Sequence, residues 1–348
     1  MKSLSVTDFF NLHTVQPFPK PAGLHNLGNT CFFNAAIQCL IRIQPLTAFV
    51  MSPTFESHIN FNNPLGSHGA IALAYRNFLM DICGGRNNTR DPRLLRSAIA
   101  SKYRKFANYW QQDSQELLGA LLDGLHEDLN QAARPKNSTE NETVSSNADS
   151  WSLYLSKNSS PIMDLFSGKL YSRINCNLCG YSSIVHELFM FLSLSVPSRA
   201  EKSIKLIDCI KFFLKEEQLD ESNKWKCEKC NHYVKATKKI EIEQCPPVLI
   251  IHLKRFEGRL RYATKIDTTV DYPDELDASL FTMKKNNDVY RLIGVVFHAG
   301  GLNGGHYTSA ALDLPSGQWY YFNDSSASKI SIAAAHNSKA YILFYQRK

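Results

Sequence analysis

Four cysteines constrain this chain more tightly than any other feature. Cys176 and Cys179 form one C-x-x-C in "INCNLCGY", and Cys227 and Cys230 form a second in "WKCEKCNHY". A two-residue gap lets both thiolates of a pair face one ion from a tight turn. Two such turns complete a tetrahedral four-thiolate shell, the geometry of structural zinc. The two pairs must therefore meet in space, and the strand-like runs around them must travel out and back together, as in a zinc ribbon at the end of a long hairpin. With every position taken by sulfur the ion has no place for water, so its role is structural and no cofactor enters any chemistry. Two matched pairs also argue against a redox role for either one. The total of nine cysteines is odd and spread over 348 residues, which argues against a disulfide framework.

Periodicity divides the rest. From Asn29 to about Ile43 apolar residues recur at three- and four-residue spacing, with Asn29 or Thr30 as cap and Pro45 as the stop. Helical patterns continue through "GAIALAYRNFLMDI" and "SQELLGALLDGLHEDL". The stretch 133–150 has almost no apolar content and reads as a flexible loop. Beyond residue 165 the runs are short, aromatic or β-branched: "GKLYSRINC", "ELFMFLSLSV", "KKIEIEQC", "PVLIIHLKRF", "YRLIGVVFHAG", "HYTSAAL", "WYYFND" and "YILFYQ". Helices first and strands second predict an α+β fold with two lobes and a cleft between them.

The totals exclude some classes. No stretch approaches the roughly 20 apolar residues of a membrane span, and the first residues lack the apolar core of a secretory signal. We expect an intracellular protein, in cytoplasm or nucleus. The formal net charge of +7 comes from scattered basic residues, and the densest cluster coincides with the second cysteine pair, so no nucleic-acid partner is expected.

Cys31 stands behind a glycine-bearing turn and before an apolar run in "GLHNLGNTCFFNAAIQCL". A catalytic thiol needs a base and a donor for the oxyanion, and a helix N-terminus favours its thiolate. Asn26, on the preceding loop, offers a side-chain donor. The base comes from elsewhere: His306, in "HAGGLNGGHYTSAAL", sits beside glycines at the start of a strand pattern. Either Asn323 or Asp324, in "WYYFNDSS", lies on the next predicted strand and can return to orient the imidazole. The chain order Cys, His, then Asn or Asp is that of papain-like thiol hydrolases.

These stretches resemble the cysteine and histidine boxes of the ubiquitin-specific proteases. The terminal "AYILFY" belongs with the histidine box, and "QQDSQELL", "DLFSGKLYSRINCNLCG", "FMFLSLSV" and "PPVLIIHLKRF" resemble further blocks of that family, in the family's order, from about Gly23 to Tyr345. The resemblance implies a papain-like fold with helical thumb, β-rich palm and zinc-ribbon fingers. It implies an extension at 1–22 and one catalytic domain at 23–348: thumb at about 23–164, fingers at about 165–250 and palm at about 251–348. It implies a deubiquitinase, acting as a monomer, that cleaves the bond after the C-terminal glycine of ubiquitin on ubiquitinated proteins. In that scheme Cys31 is the nucleophile, His306 the base and Asn323 the third member. Asp324 is an acidic neighbour that helps orient the histidine, and Asn26 is the oxyanion donor. Asp113 would hold the arginine-bearing ubiquitin tail as well as cap its helix. Gly304 and Gly305 fit a channel that admits only a glycine-glycine end.

Departures from the family pattern spare these residues. Leu117 replaces a usual phenylalanine, Ala299 a usual serine or asparagine, and Ser309, Ala310 and Ala311 follow "GGHYT" where an aromatic is usual. The competing readings are a catalytically silent ubiquitin receptor and a protease for another ubiquitin-like modifier.

Overall fold

The computed structural model describes residues 18–85, 88–132, 157–197, 202–257, 264–285, 287–301 and 304–348. The expected loop at 133–150 and most of the extension at 1–22 lie outside the described residues.

The helical part contains α1 (Cys31–Leu40), α2 (Gln44–Met51), α3 (Ala70–Gly84), α4 (Arg93–Lys102), α5 (Ser114–Leu129) and α6 (Pro161–Phe166). All ten residues of α1 are buried, because it runs between α5 and the large sheet. A helix enclosed on every side is apolar all round, and burial of Phe33, Ile37 and Leu40 contributes about 2 kcal/mol each. Of its polar residues, Gln38 is matched: its Nε2 donates to the Ala22 carbonyl at 2.8 Å. The helix is shorter than its sequence pattern. It ends at Leu40, and Pro45 lies in the first turn of α2, where its missing N–H is harmless.

The strands are β1 (Gly168–Cys176), β2 (Ser182–Phe189), β3 (Phe191–Ser195), β4 (Ala236–Gln244), β5 (Val248–Lys254), β6 (Val289–Gly301), β7 (Gly304–Asp313), β8 (Gln318–Asn323), β9 (Ser326–Ile330) and β10 (Ala340–Arg347). One sheet has the order β2-β1-β4 with Glu217–Leu219 outermost. The large sheet has the order β9-β8-β7-β6-β10-β5-β3, and Glu275–Asp277 pairs along β6. Only the β5–β3 edge of its main path is parallel. The run "ELFMFLSLSV" breaks at Met190, so that β2 belongs to the first sheet and β3 to the second. Helical thumb, large palm sheet and long-stranded fingers are thus all present.

Arg255, 1% exposed, ties the palm loops together. Its guanidinium donates to the carbonyls of Ala340, Ile266, Thr268 and Ser338 at 2.6 to 3.1 Å. None of the helices among the described residues is long and apolar enough to cross a membrane.

Candidate active site

Cys31 is the first residue of α1, which packs against β7. Gly28 and Asn29 both take positive φ, +99° and +53°, which turns the chain sharply into the helix. The turn is pinned by Asn26, whose Oδ1 accepts from Gly28 N–H at 3.0 Å, Thr30 N–H at 3.1 Å and Thr30 Oγ1 at 3.3 Å. With Oδ1 so occupied, the Asn26 amide has one orientation, with Nδ2 pointing away from the turn.

The thiol lies at the main-chain amide of Tyr307, the residue after His306 on β7. Its pKa is raised, first by burial and further by the charge of Asp324, against the amides of Tyr307, Phe32 and Cys31 itself. The sequence reading expected the helix start to favour the thiolate. Burial wins instead, because Cys31 is 4% exposed and desolvation disfavours the anion. A neutral thiol in this setting needs a base to take its proton.

His306 is the candidate for that base. Its Nε2 lies 2.7 Å from Asn323 Oδ1, at the end of β8. An amide oxygen only accepts, so Nε2 carries the hydrogen and Nδ1 is the basic nitrogen. Of the two candidates for the third position, Asn323 therefore meets the histidine.

Asp324 does something else. It sits at φ +46° in the turn between β8 and β9, and its carboxylate faces α1 and the Asn26 loop. Oδ2 accepts from Asn26 Nδ2 at 2.9 Å and Oδ1 from Asn34 Nδ2 at 2.8 Å, while its carbonyl accepts from Leu24 N–H at 2.7 Å. The expectation places Asp324 beside the histidine; among the described residues its carboxylate is instead bonded to Asn26 and Asn34, and the hydrogen-bond partner of His306 is Asn323. Asn34, one turn after Cys31 and 2% exposed, was not singled out from sequence. Its spacing of three from the nucleophile was the available signal.

Asp113 caps α5, accepting from Gln115 N–H at 2.6 Å and Glu116 N–H at 3.2 Å, and also accepts from the Tyr341 hydroxyl. It lines a cavity of about 160 Å³ with Gln111, Gln112, Phe256, His298, Gly301 and Tyr307, which opens along the cleft beside Tyr307. Gly304 is exposed, whereas Gly305 is held from the thumb by Gln111, a residue missed from sequence.

At the far end of the fingers the four cysteines converge. All four sulfurs lie within 4.8 Å of one another. Cys176–Cys230, Cys179–Cys227 and Cys179–Cys230 separations are 3.6, 3.7 and 3.2 Å. A tetrahedral ion with bonds of about 2.3 Å places its sulfurs roughly 3.8 Å apart, so this cluster could hold a metal ion. Both turns share one design: Gly180 N–H returns to Cys176 carbonyl at 3.0 Å and Asn231 N–H to Cys227 carbonyl at 2.8 Å.

A profile of the family described as Ubiquitin carboxyl-terminal hydrolase matches residues 22–345. The chain belongs to this family. It is 36% identical over 334 residues to Ubiquitin carboxyl-terminal hydrolase 2 of Homo sapiens, covering 93% of this chain and 55% of that protein. Ubiquitin carboxyl-terminal hydrolase 4 of Saccharomyces cerevisiae is 33% identical over 362 residues, covering 93% and 39%. The chain thus spans about half the length, or less, of these curated relatives. Among solved structures it is similar to a chain of the SAGA DUB module Ubp8/Sgf11/Sus1/Sgf73 bound to monoubiquitin, with TM-score 0.76, 26% identity and coverage of 98% and 74%. The same module bound to ubiquitin aldehyde gives TM-score 0.74, 27% identity and coverage of 98% and 73%.

Proposed function

We propose that this chain is a deubiquitinase, a thiol hydrolase of the isopeptide or peptide bond after the C-terminal glycine of ubiquitin. The observation that carries the reading is the placement of the Cys31 thiol at the main-chain amide of Tyr307, next to a histidine already oriented by Asn323. Family membership supports ubiquitin as the modifier.

His306 Nδ1 takes the thiol proton, and Cys31 Sγ attacks the carbonyl of the terminal glycine. The free N–H of Asn26 Nδ2 and the Cys31 amide hold the oxyanion, a donor of this kind being worth about 3 kcal/mol. The imidazolium returns its proton to the departing lysine amine, and water then hydrolyses the thioester. Asp324 raises the ground-state thiol pKa yet fixes the donor that acts only once the tetrahedral oxyanion forms. Asp113 supplies negative charge in the cavity that an arginine-bearing tail would fill. Zinc, bound by Cys176, Cys179, Cys227 and Cys230, would hold the fingertips together and take no part in the reaction. The chain acts as a monomer on this reading.

Hydrolysis of ubiquitin carrying a fluorogenic C-terminal leaving group tests the proposal, with Cys31→Ala as control. Turnover abolished in that variant, with ubiquitin still bound, is the expected result. Binding without turnover by the wild type identifies a silent receptor instead. Preference for a matched reporter of a ubiquitin-like protein changes the modifier.

A further inference from the structure

Gln111 stands exposed on the thumb rim and reaches across the cleft to one residue of β7. Gly305 N–H donates to Gln111 Oε1 at 3.1 Å, and Gln111 Nε2 donates to the Gly305 carbonyl at 3.1 Å. A side-chain amide paired with both main-chain groups of one residue reproduces what a neighbouring antiparallel strand would offer. Among the described residues the sheet places no strand there. β8 pairs with β7 only from Ser309 to Asp313, and Gly305 has Gly300 of β6 on its other side. Tyr307, two residues on, turns its amide to the Cys31 thiol. The open edge from Gly305 to Tyr307 therefore leads to the nucleophile, and Gln111 occupies its entrance.

The strand cannot recede to make room. A Cβ at position 305 would strike His298 Nε2 and come within 2.9 Å of the Ala299 carbonyl oxygen, so Gly305 is pressed flat on the palm. Gln111 is the movable partner, an exposed side chain on a flexible stem. An extended glycine-rich peptide that adds to this edge would take the same two main-chain groups.

We propose that Gln111 is a substrate-displaced plug, a residue that closes the open edge of β7 in the free protein and sets how well a peptide tail must hydrogen-bond to enter. The proposal rests on the ubiquitin-tail reading above. A closed entrance raises the apparent dissociation constant by the reciprocal of the open fraction. Two neutral hydrogen bonds favour the closed state by a factor of about 5 or more. A small thiol reagent needs no strand edge and reaches Cys31 in either state.

The test compares wild type with Gln111→Ala. KM for the fluorogenic ubiquitin conjugate is expected to fall about 5-fold or more, with kcat within about twofold. Kd for ubiquitin, measured in a Cys31→Ala background, is expected to fall by the same factor. Iodoacetamide alkylation of Cys31 at the wild-type rate shows that the variant is folded. A KM that rises, or that stays put along with Kd, overturns the plug in an enzyme that otherwise works. A wild-type protein alkylated normally but inert toward the conjugate overturns the functional reading, and the plug with it.

Discussion

The Asp324 carboxylate accepts from Asn26 Nδ2 at 2.9 Å, while His306 is held by Asn323 at 2.7 Å. Two adjacent residues at the end of β8 thus serve two different partners, Asn323 the His306 ring and Asp324 the Asn26 amide. This division separates their mutant phenotypes.

Replacing Asp324 by Ala removes a charge that raises the Cys31 pKa and, with both carboxylate oxygens, the acceptor that aims Asn26. Alkylation of Cys31 near neutral pH is expected to become faster, because the thiolate is less disfavoured. Turnover of ubiquitin conjugates is expected to fall about 10-fold or more, because the oxyanion donor loses its orientation. Parallel alkylation and steady-state assays check this, and both rates moving the same way would count against it.

Asn323→Ala leaves the His306 Nε2–H without its acceptor, and kcat is expected to drop about 10-fold or more. Asn323→Asp keeps an acceptor oxygen at the same reach and is expected to retain most activity. Steady-state kinetics of both variants check the pair.

The two turns at the fingertips are expected to hold one zinc ion per chain by elemental analysis. Cys227→Ser combined with Cys230→Ser should abolish it and lower the Tm, as should prolonged chelation. Activity of residual folded protein toward a small fluorogenic conjugate is expected to survive better than ubiquitin affinity, since the cluster lies at the end of the fingers remote from Cys31.

Acid is expected to destabilise the fold through two histidines near the cleft. Burial depresses the pKa of both His252 and His298 from 6.5 to about 4, so both are neutral in the folded protein. The unfolded chain binds more protons between those values, so stability falls as pH drops from about 6.5 toward about 4 and is fully present above that window. Urea titrations across this range check the slope. His298→Phe, which removes one titrating ring from an aromatic cluster with Phe256, Tyr307 and Tyr341, is expected to flatten it.

Arg255→Met would leave four carbonyls short of a donor in the palm. A loss of about 3 kcal/mol is expected, the larger part from unsatisfied buried acceptors rather than from lost attraction. Thermal unfolding measures it.

Much of this was legible because the chemistry imposes residue types at spacings that survive in sequence. Two C-x-x-C pairs announce a four-sulfur cluster, and Cys31, His306 and the Asn323–Asp324 pair stand in an order that a thiol hydrolase uses. Strand patterns from Gly168 onward were clear because alternation and turn residues mark them. Other features depend on what the chain meets only after folding. The pattern from Asn29 to Ile43 could not show that α1 stops at Leu40 and that Pro45 begins a new helix. "ELFMFLSLSV" is one apolar run, yet Met190 is where it passes from fingers to palm. The helix start at Cys31 suggested a favoured thiolate, but no local sequence reveals that burial outweighs it. Gln111 and Asn34 act through partners 194 and 290 positions away, which no spacing rule reaches.

The most direct test of the central claim is intact-mass analysis after mixing the protein with ubiquitin that carries a thiol-reactive group at its C-terminus. The account expects a one-to-one adduct that maps to Cys31 and disappears in Cys31→Ala. A folded protein that forms no adduct, or forms one at another cysteine, would contradict it.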